Sequence, residues 1–201
     1  NLVEQGSIER TVSAVPVCVL LSGGVDSSVI ALAALKNIPN LTSYIAVHDE
    51  KSKDLKCARE VSEMLNIELV EVKVEPPTVD DVKDIINTIE MNYKAQIEIA
   101  WPCIKLAQRI ASDGFKVVLS GEGSDELWAS YGMSYHGIEE HGFEEYRLRL
   151  FGSQERKNFS RCNKIFMKYG VECRLPFLNT ELVETALGME QDIVWDTKLR
   201  P

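Results

Sequence analysis

Two short stretches concentrate the residues able to do chemistry: Ser22-Gly23-Gly24-Val25-Asp26-Ser27-Ser28 and Ser120-Gly121-Glu122-Gly123-Ser124-Asp125-Glu126. The first has the composition of an anion cradle. Glycines let a backbone turn sharply and approach a ligand closely. Unpaired N–H groups at a helix start carry partial positive charge and suit phosphates. Ser22, Ser27 and Ser28 add hydroxyl donors. Asp26 would repel phosphates unless a cation stood between, and Mg²⁺ is usually held by one or two carboxylates plus substrate phosphates. The pattern points to a Mg·nucleotide site. In the second stretch the design is repeated with three carboxylates. Asp125 can share a cation with Asp26 if the strands before the two loops are neighbours. Glu122, between two glycines, is presented on a bent backbone suited to proton transfer. Each loop alone also reads as an ordinary turn, with serine and aspartate as N-caps in the first and a solvated acidic bend in the second. For the first loop the chemical reading is already the stronger one; for the second, it becomes so through its pairing with the first.

Such loops need strands and helices to aim them. Val15–Leu21 is apolar apart from Pro16 and reads as a first strand, and Ser27–Lys36 as the first helix. Leu41–Val47 is a second strand, and Asp54–Leu65 a helix with Leu55, Ala58, Val61, Met64 and Leu65 at helical spacing. Ile67–Val74 alternates apolar and charged residues, as a strand near an edge would. Helices follow over Val79–Met91 and Pro102–Ala111, then a fourth strand over Lys116–Leu119. Strands alternating with helices predict an α/β fold built on an open parallel sheet, with helices on both faces. Right-handed crossovers place the loops after strands one and four at the carboxyl edge, where such sheets bind ligands. Beyond residue 130 the chain reads as helical, over Tyr146–Phe151, Arg161–Lys168 and Thr180–Leu187. The expected organisation is one domain over 1–201, a nucleotide-binding α/β core to residue 130 and a helical completion after it.

Composition narrows the function classes. The chain has 201 residues, and a single core of that size can bury roughly 70% of the unfolded surface. A net charge of −9 gives no general attraction to nucleic-acid phosphates. Arg147, Arg149, Arg156, Lys157, Arg161, Lys164 and Lys168 do crowd one region, as either a solvated helix face or a phosphate-binding patch. No apolar run reaches the ~18–20 residues that span a bilayer, and no signal peptide is visible, so a cytoplasmic protein is expected. The five cysteines, Cys18, Cys57, Cys103, Cys162 and Cys173, include no CxxC spacing and read as reduced thiols. His48, His136 and His141 form no zinc pattern. No GxxxxGK[ST] loop is present, nor a GxGxxG after the first strand, which excludes the two commonest nucleotide fingerprints.

Ser22-Gly23-Gly24-Val25-Asp26-Ser27-Ser28 instead resembles the pyrophosphatase loop (PP-loop) of synthetases that cleave ATP to AMP and pyrophosphate. Leu119-Ser120-Gly121-Glu122-Gly123-Ser124-Asp125-Glu126 is similar to the second signature of the asparagine synthetase C-terminal domain. Arg161-Cys162-Asn163-Lys164 and Gly170-Val171-Glu172-Cys173-Arg174-Leu175-Pro176-Phe177-Leu178-Asn179 resemble that family's "RANK" and "GVEARVPFLD" blocks. The resemblance implies an ATP-dependent, AMP- and pyrophosphate-forming amide synthetase, with ATP and Mg²⁺ as cofactors. Such an enzyme adenylates a carboxylate, aspartate or a similar acid, and passes it to ammonia or an amine. A β-lactam-synthetase-like ligase and a non-catalytic nucleotide-binding subunit are the alternatives. It further implies that Leu21 and Ala46 line the adenine pocket beside the Ser120-Gly121 backbone. Ser22, Gly23, Gly24, Ser27 and Ser28 would cradle pyrophosphate, and Asp26 and Asp125 would hold Mg²⁺. Glu122 would be the general base, with Lys164 and Arg174 on substrate or phosphate. For Arg174 an ion pair with Glu172 is nearly as good a reading, and for Tyr131 core packing with a satisfied hydroxyl is the better one.

The match departs from the family in places. Asn179 stands for the usual aspartate of "PFLD" and Cys173 for the usual alanine. The glutamine-hydrolysing half is expected to be absent, leaving ammonia to come from solution or a separate glutaminase subunit. The family generally continues to a later lysine that contacts pyrophosphate; if the protein ends at Pro201, either Lys198 or another cation is expected to take its place or the activity is expected to be weakened.

Overall fold

The computed structural model describes residues 1–194. Five strands, β1 (Val17–Leu20), β2 (Thr42–Val47), β3 (Glu68–Lys73), β4 (Val117–Leu119) and β5 (Glu172–Arg174), form one sheet in the order β3-β2-β1-β4-β5. Every pairing is parallel. The chain runs outward from β1 to β3, then returns to lay β4 against β1 with Val17 opposite Val117 and Val19 opposite Leu119. That reversal is a switch point, and the crevice beyond the carboxyl ends of β1 and β4 is where the two glycine loops emerge.

Residue types explain the strand positions. β1 and β4 are short, apolar and almost wholly buried, as central parallel strands must be. β3 alternates charged with apolar residues and lies at one edge, as the sequence suggested. Alternation across β1 splits the core in two. Val17, Val19 and Leu21 pack on one face with Ile30, Ala31 and Leu55. Cys18 and Leu20 face the other, with Ile104, Ile110 and Phe166. The first face carries α2 (Val25–Ala34) and α3 (Lys53–Leu65). On the second lie α4 (Val79–Ile89) and α5 (Lys94–Ser112). Caps fix the helix starts: Ser52 accepts from the Leu55 N–H, and Thr78 forms a reciprocal box with Asp81.

Three features go beyond the sequence reading. A helix, α1 (Leu2–Glu9), precedes β1 and packs on α2. The α5 helix begins at Lys94 rather than Pro102. Proline reads as a helix start, but buried Gln96, Ala100 and Trp101 extend the packed face a full two turns earlier. The tail beyond residue 130 is not all helix. It contains α7 (Ser134–His141), α8 (Phe143–Gln154), a π-helical turn over Glu155–Phe159, α9 (Ser160–Lys168) and the edge strand β5. A 3₁₀ turn over Pro176–Leu178, α10 (Thr180–Leu187) and α11 (Gln191–Val194) complete it. β5 pairs with β4 along its length, so the tail completes the sheet itself. None of the helices in the described residues is long and apolar enough to cross a membrane.

Candidate active site

The two loops meet. Ser124 Oγ donates to Asp26 Oδ1 at 2.8 Å, joining residues 98 apart in sequence. A Cβ built on Gly121 would sit 3.4 Å from that of Asp26. The β1–β4 pairing brings this about, since both loops leave the same end of adjacent strands. A cleft of about 560 Å³ opens there, lined on one side by Leu20, Ser22, Asp26 and Ser27. Ser120, Gly121, Glu122, Asp125 and Glu126 line the other. The second loop runs directly into α6 (Ser124–Trp128).

The first loop is stapled by its own atoms. Ser27 Oγ accepts from the Ser22 N–H at 3.2 Å and donates to the Gly24 carbonyl at 3.1 Å. Ser28 Oγ donates to the same carbonyl at 2.7 Å. The hydroxyl protons of Ser27 and Ser28 are thus spent on the main chain rather than aimed at a ligand. Gly23 has φ +76°, and a Cβ there would fall 2.4 Å from the Ala58 nitrogen, so the turn admits only glycine. Gly24 caps α2 with extended backbone and directs the helix start at the cleft.

The second loop is held from a distance. Glu122 pairs with Arg161 on α9 at 2.9 Å. Arg161, 2% exposed, also donates to Asn158 Oδ1 at 2.8 Å and to Gln96 Oε1. Its Nε has no hydrogen-bond partner. Glu126, 1% exposed, accepts from the Tyr131 hydroxyl at 2.6 Å and from Asn158 Nδ2 at 3.0 Å. These groups form one polar network along the cleft wall, joined to Asp125 by loop geometry alone; Asp125 accepts from Ser130. Burial pushes the Glu122 carboxyl above the usual glutamate range, and Arg161 pulls it part of the way back. Burial also raises Asp26, opposed by its Ser124 bond and reinforced by the nearby Asp125 charge. The Asp125 charge acts on Asp26 across the cleft, and a divalent cation held there would offset it. Tyr131 is raised by burial and by donation to Glu126, so it stays a phenol.

The donor set fits Mg²⁺ with a polyphosphate. Two carboxylates face one cleft beside a helix N-terminus, and magnesium ordinarily takes one or two protein carboxylates and fills its sphere with phosphate and water. Among the described residues no cluster of three or more His, Cys, Asp or Glu side chains could cage a metal by itself.

Several expected positions fall elsewhere. The Leu21 side chain is buried in the α2–α3 face of the core, and Leu20 faces the cleft in its place. One residue of strand register decides this, because neighbours on a strand point to opposite faces. Ala46 lies on the same face of the sheet as Leu20, outside the cleft wall. Lys164 is engaged with Glu90 and the Ile89 carbonyl, so it braces α9 against α4. Arg174 pairs with Glu172 and donates to the Arg10 and Val12 carbonyls at 2.9 and 2.8 Å, tying the N-terminal segment to β5. Neither cation lines the cleft. The basic run is no patch: Arg147 is buried against the Leu127 and Met189 carbonyls, Arg149 pairs with Glu145, and Lys168 with Asp84. Lys157 and Arg161 alone of that run line the cleft. Asn179 caps α10, accepting from Leu182 N–H while its amide donates to Glu9, a bond that an aspartate could not make. Lys198 lies outside the described residues.

Comparison with known proteins decides the family. The sequence model described as asparagine synthase matches residues 2–160. The chain belongs to the asparagine synthase family. An asparagine synthetase [glutamine-hydrolyzing] of Brassica oleracea is 32% identical over 200 residues, covering 94% of this chain and 34% of that protein. Asparagine synthetase [glutamine-hydrolyzing] 3 of Arabidopsis thaliana is 30% identical over 202 residues, covering 96% and 35%. The chain spans about a third of the length of the curated relatives it matches. Among solved structures, NMN synthetase from Francisella tularensis superposes with a TM-score of 0.51 at 16% identity, over 97% of this chain and 73% of that one. The U34-tRNA thiolase NcsA from Methanococcus maripaludis, solved with its [4Fe-4S] cluster, gives 0.51 at 16% over 92% and 61%. At that identity the two establish a shared fold alone.

The sequence reading missed Gln96 and Asn158, named Glu126 without a role, and offered Lys157 and Arg161 only within a broader basic cluster. Arg161 stands in the "RANK"-like block, a signal of importance without a task. Gln96 carries no signal, since it sits mid-helix in α5 and reaches Arg161 only through packing.

Proposed function

We propose that this chain is the ATP-using module of an asparagine-synthetase-type amide synthetase, which adenylates a small carboxylate and releases pyrophosphate. One observation carries the reading: two glycine loops from adjacent parallel strands touch and set Asp26, Asp125 and Glu122 around one cleft. A scaffold that only bound nucleotide would not need a third, half-buried acid.

The roles follow from placement. The α2 N-terminus and the Ser22–Gly24 backbone would receive the phosphates. Asp26 and Asp125 would hold Mg²⁺, which would neutralise charge on the leaving pyrophosphate. Leu20 and the Ser120-Gly121 backbone offer an apolar edge and polar groups for the base. Glu122 is positioned to take a proton from the attacking ammonia or amine, and a pKa raised by burial makes it a stronger base than a free glutamate. Arg161 keeps Glu122 in place and limits how far burial raises it. Lys157 at the rim supplies a cation for the acid substrate or the phosphates. The whole described chain acts as one unit, the α/β core to residue 130 and the tail that closes its sheet.

The test is release of pyrophosphate and AMP from Mg·ATP, with aspartate and a panel of small acids, in the presence of ammonia. Acid-dependent release supports the proposal. Tight nucleotide binding with no turnover on any acid would leave a binding subunit instead.

A further inference from the structure

Three cysteines gather behind the wall that carries Arg161. Cys162 is on α9, Cys173 on β5 and Cys103 on α5, and the first two sulfurs are 3.2 Å apart. Cys162 is 4% exposed and Cys173 is partly exposed. The element pair is rigid: α9 packs on β5, and the turn between them passes through Gly170 at φ +70°. Both thiols also stand where the "RANK" and "GVEARVPFLD" blocks have alanine, so the pair is an addition of this chain to that pattern. Cys18 differs, since its sulfur contacts the Val117 carbonyl, and Cys57 lies on α3.

We propose that Cys162 and Cys173 are a redox-active dithiol, a modification site that closes to an intramolecular disulfide with small disulfides such as oxidised glutathione. A disulfide bond is about 2.05 Å long, so the sulfurs need approach by only about 1 Å. Burial and the contact with Cys173 keep Cys162 protonated, which assigns the first step to the more accessible Cys173. The Cys173 thiolate attacks one sulfur of the small disulfide, whose S–S bond breaks and releases one small thiolate. Cys162 then gives up its proton to that base and attacks Cys173 Sγ, expelling the second small thiol. The protein loses two S–H protons and two electrons, and the small disulfide becomes two thiols.

The bond would tie α9 to β5 beside the second glycine loop. Arg161 directly precedes Cys162 and holds Glu122. Arg174 directly follows Cys173, and its carbonyl accepts the Ser120 N–H at 3.0 Å. Closure therefore braces the two supports of the acidic loop and should raise the melting temperature.

The experiment incubates the reduced chain with oxidised glutathione, counts thiols after denaturation, maps linked peptides and melts the protein. The expected results are a fall from five free thiols to three, a single linked pair joining residues 162 and 173, and a higher melting temperature. Dithiothreitol should restore all five thiols. Cys173→Ala should retain five-minus-one thiols under the same oxidant, and so should Cys162→Ala apart from a mixed disulfide at Cys173. Five surviving thiols in the unmodified chain would overturn the proposal. So would glutathione left on Cys173 with Cys162 free, a Cys103–Cys162 link, or a lower melting temperature on oxidation.

Discussion

The two glycine loops share a plan and are supported in opposite ways. The first, Ser22–Ser28, is closed by its own hydroxyls and by the start of a ten-residue helix. The second, Ser120–Glu126, leads into a five-residue helix, and its acids are held by Arg161, Asn158 and Tyr131, all later in the chain. An anion cradle needs backbone amides in fixed directions, and local bonds suffice for that. A buried carboxylate needs a partner that desolvates with it. No residue within a tight turn can supply one, so the partner comes from another element. The difference separates a loop that binds charge from a loop that carries it.

Removing the remote support should have the largest effect. Arg161→Met leaves the half-buried Glu122 without its cation and takes a donor from Gln96 Oε1 and Asn158 Oδ1, which keep their bond to each other. Breaking a buried pair from one side costs ~3–5 kcal/mol, and a chain of this size should lose about 10 °C in Tm. Thermal melts and urea titration measure it. A fall under about 2 °C would mean that the acidic loop is not held by the tail.

Next comes the metal pair. Asp26→Asn keeps an acceptor for Ser124 but removes one of two charges beside the phosphates. Loss of one preorganised electrostatic contact commonly costs ~10²–10³-fold in rate. Pyrophosphate release at saturating Mg·ATP should fall by about that much. A rate within twofold of the parent would remove Asp26 from the catalytic arrangement.

Glu122→Gln tests the third acid and should divide the reaction. Adenylation should survive, while amide formation slows about 10²-fold, the lower range for a lost general base. Equal loss in both steps would contradict the assignment. The pH behaviour has a definite sign. Burial outweighs Arg161, so the native carboxyl titrates above its unfolded value. Its contribution to stability is complete below the unfolded pKa and is lost as pH rises through the native one. Amide formation should rise over that same upper window as the base form appears. Glu122→Gln should flatten both profiles there.

The same contrast governs what could be read in advance. The parallel α/β sheet, the meeting of the two loops and the edge position of β3 were legible because apolar runs and their spacing encode them locally. Lys164 lies off the cleft, and of the two readings open for Arg174 the ion pair with Glu172 is the one the structure shows, because type and motif position do not say which way a long side chain turns. Each found an acid two residues or a helix away, Glu90 and Glu172. Leu20 and Leu21 differ only in strand parity, which depends on where β1 begins relative to Pro16. Gln96 reaches the site by tertiary packing of α5 on α9, and β5 is three residues whose strand state depends on the neighbouring β4.

The smallest effect belongs to the self-supporting loop. Ser27 is buried, and its hydroxyl bridges the Ser22 N–H and the Gly24 carbonyl. Ser27→Ala removes both bonds and leaves the Ser22 N–H without its protein partner, at a cost of ~1 kcal/mol. Ser28 is partly exposed and bonded to the same carbonyl, so Ser28→Ala should cost under about 0.5 kcal/mol. Nucleotide affinity, measured by calorimetry, should fall less than about tenfold in either variant, since each hydroxyl proton is already spent on Gly24. If Ser28→Ala instead lost binding as severely as Asp26→Asn, that hydroxyl would have to leave Gly24 for the phosphates. The first loop would then be reshaped by its ligand, and the contrast between a preformed cradle and a remotely supported acidic bend would fail.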